Sequence, residues 1–213
     1  MGDINFYYLF CIFVVSLCSM MLHELGHAVV ALWQGDQTAK LAGRISLNPL
    51  KHIDPMMTIV VPLVLALIGA PVFGGAKPVP INTRNLKHGE YSFALVAIAG
   101  PLVNFILAFI FFGLYLVANS GWLIELSYVG VSVNLGFMLF NIIPIPPLDG
   151  SRVLYALAPD FVREFMQKME RYGLLIIYAL LWVGGTLLTA YFDNGVSLVT
   201  GWFVKFYSLF GLL

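Results

Sequence analysis

The sequence predicts an all-α polytopic membrane protein with about five to six transmembrane helices, a re-entrant segment, and a short extended strand near its functional centre. Three observations carry this expectation. Of 213 residues, 60% are hydrophobic and 10% charged, whereas soluble domains carry about 25% charge. Mean hydropathy is +0.90. Apolar stretches occur at 4–33, 91–118, 123–157 and 174–192, and roughly 20 apolar residues suffice to cross a bilayer as a helix.

The elements follow in chain order. Stretch 4–33 is almost purely apolar, with Glu24 its one charged side chain after residue 4. Residues 56–73 are apolar but interrupted by Pro62 and Pro71, so a segment that dips in and returns is expected. Lys77-Pro78-Val79-Pro80-Ile81-Asn82 reads as extended, because its two prolines favour that backbone and cannot donate to a ladder. Stretches 91–118 and 123–157 are the next crossings. In 159–172, Asp160, Arg163, Glu164, Lys168, Glu170 and Arg171 alternate with Phe161, Phe165, Met166 and Met169, the pattern of an amphipathic interfacial helix. Stretch 174–192 crosses again, while 196–213, with Lys205 in its middle, either spans or lies in the interface. No internal repeat is visible, so residues 1–213 read as a single membrane-embedded domain. Its core is about 10–158, followed by a connector at 159–173 and membrane helices at 174–213.

Positive charge gives an expected sidedness. If 56–73 is re-entrant, Lys40, Arg44, Lys51, Lys77, Arg84, Lys87, Arg152, Arg163, Lys168 and Arg171 share one face. Only Lys205 falls outside that set. Lys and Arg collect in cytoplasmic loops, so the N-terminus is expected outside the cell membrane. Eleven basic residues balance eleven acidic ones, which gives no support to a nucleic-acid partner. The start of the chain has no basic n-region, and Phe6 stands where a myristoylation motif wants Ser or Thr. Cys11 and Cys18 would lie about 10 Å apart on one helix, too far to bridge, and read as packing residues.

The chemistry is concentrated in His23-Glu24-Leu25-Gly26-His27. Histidines four apart share one helix face and can hold one metal ion, with the intervening glutamate beside it as a base. Ionisable groups at membrane depth are costly and mark function. Two core histidines that merely hydrogen-bond are the plainer alternative. A catalytic zinc site requires three protein ligands and one open position. Asp149 is the only acid between Glu125 and Asp160, and follows a stretch that Pro144, Pro146 and Pro147 keep from being a regular helix. It reads as a third ligand or as a cap for the helix after it. His52 and His88, beside lysines in polar sequence, are alternative ligands or solvated imidazoles.

These motifs, with Gly100-Pro101-Leu102-Val103-Asn104 between them, resemble the site-2 protease family of intramembrane zinc metalloproteases. Arg44-Ile45-Ser46-Leu47-Asn48-Pro49, His52-Ile53-Asp54-Pro55 and Ala76-Lys77-Pro78-Val79-Pro80-Ile81-Asn82 are similar to its compact prokaryotic branch, and no PDZ or CBS segment is visible. The resemblance spans about residues 10–158. It implies one zinc ion per chain held by His23, His27 and Asp149, with Glu24 as general base. It also implies that Asn141 contacts the substrate backbone or the oxyanion. The implied substrate is a membrane-anchored protein, cut within or near a transmembrane segment in the bilayer, with oligomeric state left open. Unwound substrate needs partners for its backbone, which Lys77, Pro78, Val79 and Pro80 could supply as an edge strand. Gly26 and Gly150 are expected to pack closely near the site. Asn104 is expected to hydrogen-bond to a neighbouring helix, typically for about 1 kcal/mol, and Arg152 to mark the interface. A metal-ion transporter and an inactive peptide-binding relative are the alternatives; Glu24 fits transport only loosely.

Overall fold

The computed structural model describes residues 6–69 and 74–212. Helix α1, Phe6–Trp33, opens the chain, and the short helix α2, Thr38–Leu41, follows its end. Two long helices, α4 (Glu90–Val117) and α5 (Gly121–Ile142), complete a three-helix centre in which α4 packs on both α1 and α5. The inward stripe of α4 runs Ala94, Ala97, Pro101, Asn104, Ala108, all buried. Its spacing of three and four residues keeps small side chains on one face and lets neighbouring backbones approach. The opposite stripe, Leu95, Ile98, Leu102, Ile106 and Ile110, is exposed. An apolar outer face is what a helix in lipid presents. The expected all-helical membrane architecture is therefore present.

The segment between α2 and α4 turns back on itself. Asp54 accepts from the amides of Met56 and Met57 and so caps a wide helical turn, Pro55–Val60, that runs into α3, Val61–Leu67. On the way back, the Gly75 amide donates to Met57 O at 3.1 Å and the Thr58 hydroxyl to Gly75 O at 2.7 Å. Entry and return lie side by side, as a re-entrant segment requires. Pro71 lies outside the described residues.

Several boundaries differ from the sequence expectation. Stretch 123–157 is not one helix: α5 ends at Ile142, because a residue preceding proline disfavours helical backbone and Ile143 precedes Pro144. A new helix, α6, begins at Asp149 and runs to Leu157; α7 covers Asp160–Glu170. The last two helices are α8, Gly173–Val183, and α9, Gly185–Ser208, bent by 86° at Gly184. Helix α9 runs without interruption between the expected stretches 174–192 and 196–213, and the bend falls instead at the adjacent glycines 184 and 185, which carry a helix penalty. Among the described residues, three helices are long and apolar enough to cross a membrane, or four if the bent pair is one span, against the five to six expected. The expected strand also forms no ladder. Residues 75–82 run extended as a single strap against the three-helix centre.

Candidate metal centre

His23 and His27 lie one turn apart on α1 and both are buried. Their Nε2 atoms stand 3.0 Å apart. Each ring is held from behind at Nδ1. His27 Nδ1 lies 2.7 Å from Val96 O, and a carbonyl only accepts, so Nδ1 carries the proton and Nε2 keeps its lone pair. His23 is held through two amides. Asn134 Nδ2 donates to Gly130 O at 2.8 Å, and Asn104 Nδ2 to Asn134 Oδ1 at 3.0 Å. That leaves Asn104 Oδ1 facing His23 Nδ1 at 2.6 Å. Because the relay ends on a carbonyl, its direction is fixed along its length, and His23 takes the same tautomer as His27.

Asp149 reaches the pair from α6, which packs on α4. Gly150 sits so close to the end of α5 that an added Cβ would lie 2.0 Å from Ile142 O, so only glycine permits the turn that starts α6 there. Asp149 is the first residue of α6, whose cap position is held by Leu148. Asp149 Oδ2 lies 3.1 Å from His23 Nε2 and 3.4 Å from His27 Nε2.

With both imidazole protons on Nδ1, three acceptors converge with no donor among them. Asp149 Oδ2 is accordingly a buried polar atom with no hydrogen-bond partner among the described residues. Such an arrangement is unfavourable unless a cation or proton sits between the acceptors. The separations match the edges of a tetrahedron around a metal with bonds near 2.0–2.1 Å, about 3.3 Å. A Cβ at Gly100 would stand 2.5 Å from both Nε2 atoms, so the missing side chain keeps that space open. The donor set of two neutral imidazoles and a carboxylate therefore fits zinc.

Glu24 lies on the same helix turn, part-buried, and its Oε2 accepts from the main-chain amide of Val79 at 2.8 Å. His23, Glu24, His27 and Asp149 line a cavity of about 290 Å³ together with Pro78, Val79, Asn141 and Arg152. A second cavity of about 490 Å³ shares His23, Glu24 and Asn141 and is otherwise walled by groups such as Phe137, Phe140, Ile177 and Phe192. The triad thus stands between a polar chamber and an apolar one.

The remaining sequence-derived residues divide. Asn141 lies at the junction of both cavities, its amide tied back to Phe137 O. Of the strap, Pro78 and Val79 line the polar cavity, while the Lys77 and Pro80 side chains are exposed. Gly26 takes the packing role: an added Cβ would meet Val103 Cγ2 at 2.9 Å and Ala99 O at 3.1 Å. Pro101 lies on the buried face of α4, one residue past Gly100. His88 is exposed. His52 is not solvated as expected; it is 1% exposed, with Nε2 at 2.9 Å from Ser46 O, and takes no part in the cluster. Arg152 does more than mark the interface, since it pairs with Glu170 of α7 and lies 5.3 Å over the Phe93 ring. Sequence reasoning missed Asn134, Asp36 and Arg44. Asn134 gave the same signal as Asn104, a lone amide in an apolar helix.

Comparison with known proteins adds a family. Residues 117–184, which include Asn141 and Asp149, match the model of peptidase family M50. YwhC of Bacillus subtilis, named as a candidate zinc metalloprotease, is 41% identical over 177 residues, covering 78% of each chain. Rip2 of Mycolicibacterium smegmatis, named likewise, is 32% identical over 170 residues, 78% of this chain and 64% of its own. MJ0611 of Methanocaldococcus jannaschii, with the same designation, is 47% identical over 60 residues, 28% of this chain and 31% of its own. No solved structure is significantly similar to this chain.

Proposed function

Because the chain belongs to peptidase family M50, the site-2 protease family of zinc metalloproteases, we propose that it hydrolyses peptide bonds within or near transmembrane segments of membrane-anchored proteins. The single observation that carries the reading is the convergence of His23, His27 and Asp149 acceptors beside Glu24, in a polar cavity that shares His23, Glu24 and Asn141 with an apolar one.

In this reading His23, His27 and Asp149 hold one zinc ion per chain. Zinc supplies Lewis-acid polarisation of the scissile carbonyl and brings the pKa of water down to about 7. Glu24 accepts the proton of the attacking water and passes it to the leaving amine, a task for a carboxylate within hydrogen-bond reach of both. Asn141, where the two cavities meet, contacts the substrate backbone or the developing oxyanion. The apolar chamber receives the hydrophobic substrate segment, and the strap at 77–80 flanks the unwound chain. Residues 1–213 act as one catalytic domain in the bilayer, with a core at about 10–158. The basic loops face the cytoplasm, so the N-terminus lies outside and the cluster sits nearer the cytoplasmic side.

Glu24→Gln is the test, in purified protein with a membrane-anchored reporter substrate. Stoichiometric zinc with cleavage reduced at least a hundredfold supports the reading. Unimpaired cleavage rules out Glu24 as the base, and metal transport that survives the change would favour a transporter.

A further inference from the structure

The strap at 75–82 is anchored at more points than a connector needs. Pro78 and Pro80 have no amide proton. The Lys77 amide donates to His52 O at 2.8 Å, Val79 to Glu24 Oε2 at 2.8 Å, and Asn82 to Asp36 Oδ2 at 2.7 Å. Among the main-chain amides from Lys77 to Asn82, only that of Ile81 has no partner among the described residues. The carbonyls of Lys77 and Pro78 are also engaged, both by the Arg44 guanidinium. An extended segment with its donors committed inward is poorly equipped to add a substrate strand.

The two anchors are expensive ones. Arg44 is 7% exposed, and its hydrogen bonds go to the carbonyls of Lys51, Lys77 and Pro78. Asp36 is fully buried just beyond α1, and accepts from the Thr38 amide and hydroxyl, the Asn82 amide and Asn85 Nδ2. Buried charges persist where such bonds satisfy most of their polar atoms; of the Arg44 guanidinium, Nε alone has no partner among the described residues. Between these fixed ends the chain meets α1 at Glu24. A glutamate side chain has three rotatable bonds, and one amide on Oε2 removes most of that freedom while leaving Oε1 for a proton. Proton transfer is sensitive to displacements of about 1 Å.

We propose that Arg44 and Asp36 are positioning residues for Glu24, acting through the strap and the main-chain amide of Val79. The proposal rests on the reading of Glu24 as general base, and it separates the strap's service to Glu24 from any hold on substrate.

Val79→Pro in the full-length, zinc-loaded protein tests it. The change deletes the amide proton where the neighbouring residues are already proline, whereas Val79→Ala keeps the amide and trims the packing within the cluster of Ala28, Ala39, Ile45 and Ile81. The expected result is kcat lowered roughly tenfold to a hundredfold by Val79→Pro, with KM and bound zinc within twofold of the unaltered protein, and a clearly smaller loss of kcat in Val79→Ala, which keeps the amide. Arg44→Lys and Asp36→Asn should lower kcat in the same selective way, and they carry the test if Val79→Pro does not fold. In a Glu24→Gln background Val79→Pro should add no further loss. Equal kcat for the two Val79 variants, or a raised KM at unchanged kcat, overturns the proposal alone. Full activity of Glu24→Gln overturns the functional reading and this proposal with it.

Discussion

His23 Nδ1 and Asn104 Oδ1 lie 2.6 Å apart, although 81 positions separate them in the chain. Through Asn134 the contact continues to a carbonyl of α5, so the proton position on an α1 histidine is decided two helices away. Helix α4 supplies Val96 O for the other imidazole and Gly100 for the gap before both. It serves as the template on which the metal-facing lone pairs are set.

Removing the amide at the first step should therefore weaken metal binding without touching a ligand. Asn104→Ala leaves His23 Nδ1 unpartnered and free to exchange tautomers, and loss of an outer partner of this kind typically costs about 10–100-fold in affinity. Chelator competition on the purified protein measures it. Asn134→Ala, one step further out, should cost less; equal zinc affinity in all three proteins would reduce the relay to packing.

Gly100→Ala should be more severe. The new methyl would stand 2.5 Å from both Nε2 atoms, so both rings must rotate away from Asp149. Zinc content by elemental analysis should fall well below one per chain, while Gly201→Ala, whose added carbon meets nothing within 4 Å, should retain it.

Why was the cluster legible while its supports were not? His23, Glu24 and His27 advertise themselves through helical spacing, and Asp149 as a rare acid after a proline-broken stretch. Both signals are local. Asp36 and Arg44 look like ordinary loop charges until the fold shows which main-chain groups of the strap they meet, and those groups lie 33 to 46 positions away. The helix break at Gly184 was misplaced for a related reason. The apolar stretches 174–192 and 196–213 are separated by Asp193 and Asn194, but both are exposed on α9 and need no turn there.

Phe203 should govern how α9 is held. It is 2% exposed, with the rings of Phe105, Phe109 and Phe112 at 5.3–5.5 Å. Lipid tails match side chains in apolarity, so its contribution comes from close packing and ring contacts. Three such pairs at about 0.5–1.5 kcal/mol each put Phe203→Ala at roughly 1.5–4.5 kcal/mol of lost stability. Zinc affinity should be unchanged, since α9 contributes no member of the cluster. Because Phe192 of α9 lines the apolar chamber, KM for a membrane-anchored substrate should rise. A thermal midpoint equal to that of the unaltered protein would show that α9 is held elsewhere.

Asp36 should give stability an acid limb. Burial pushes its carboxyl upward, but bonds from the Thr38 hydroxyl, Asn85 and the amides of Asn82 and Thr38 outweigh that and hold it below the ordinary carboxylate value. A depressed folded value means that the contribution is complete above the unfolded pKa, about 3.9, and disappears as pH falls through the folded one. Asp36→Asn removes the charge at every pH. Its thermal midpoint in detergent should lie below that of the unaltered protein at pH 7, and the gap should narrow below about pH 4. Limited proteolysis should find the 77–85 segment more open in the variant at neutral pH, because asparagine keeps only one of the two oxygens that accept from Asn82 and Asn85. A gap that stays constant from pH 7 to 3 would mean that shape alone, and not the carboxylate's charge, ties the strap to the end of α1.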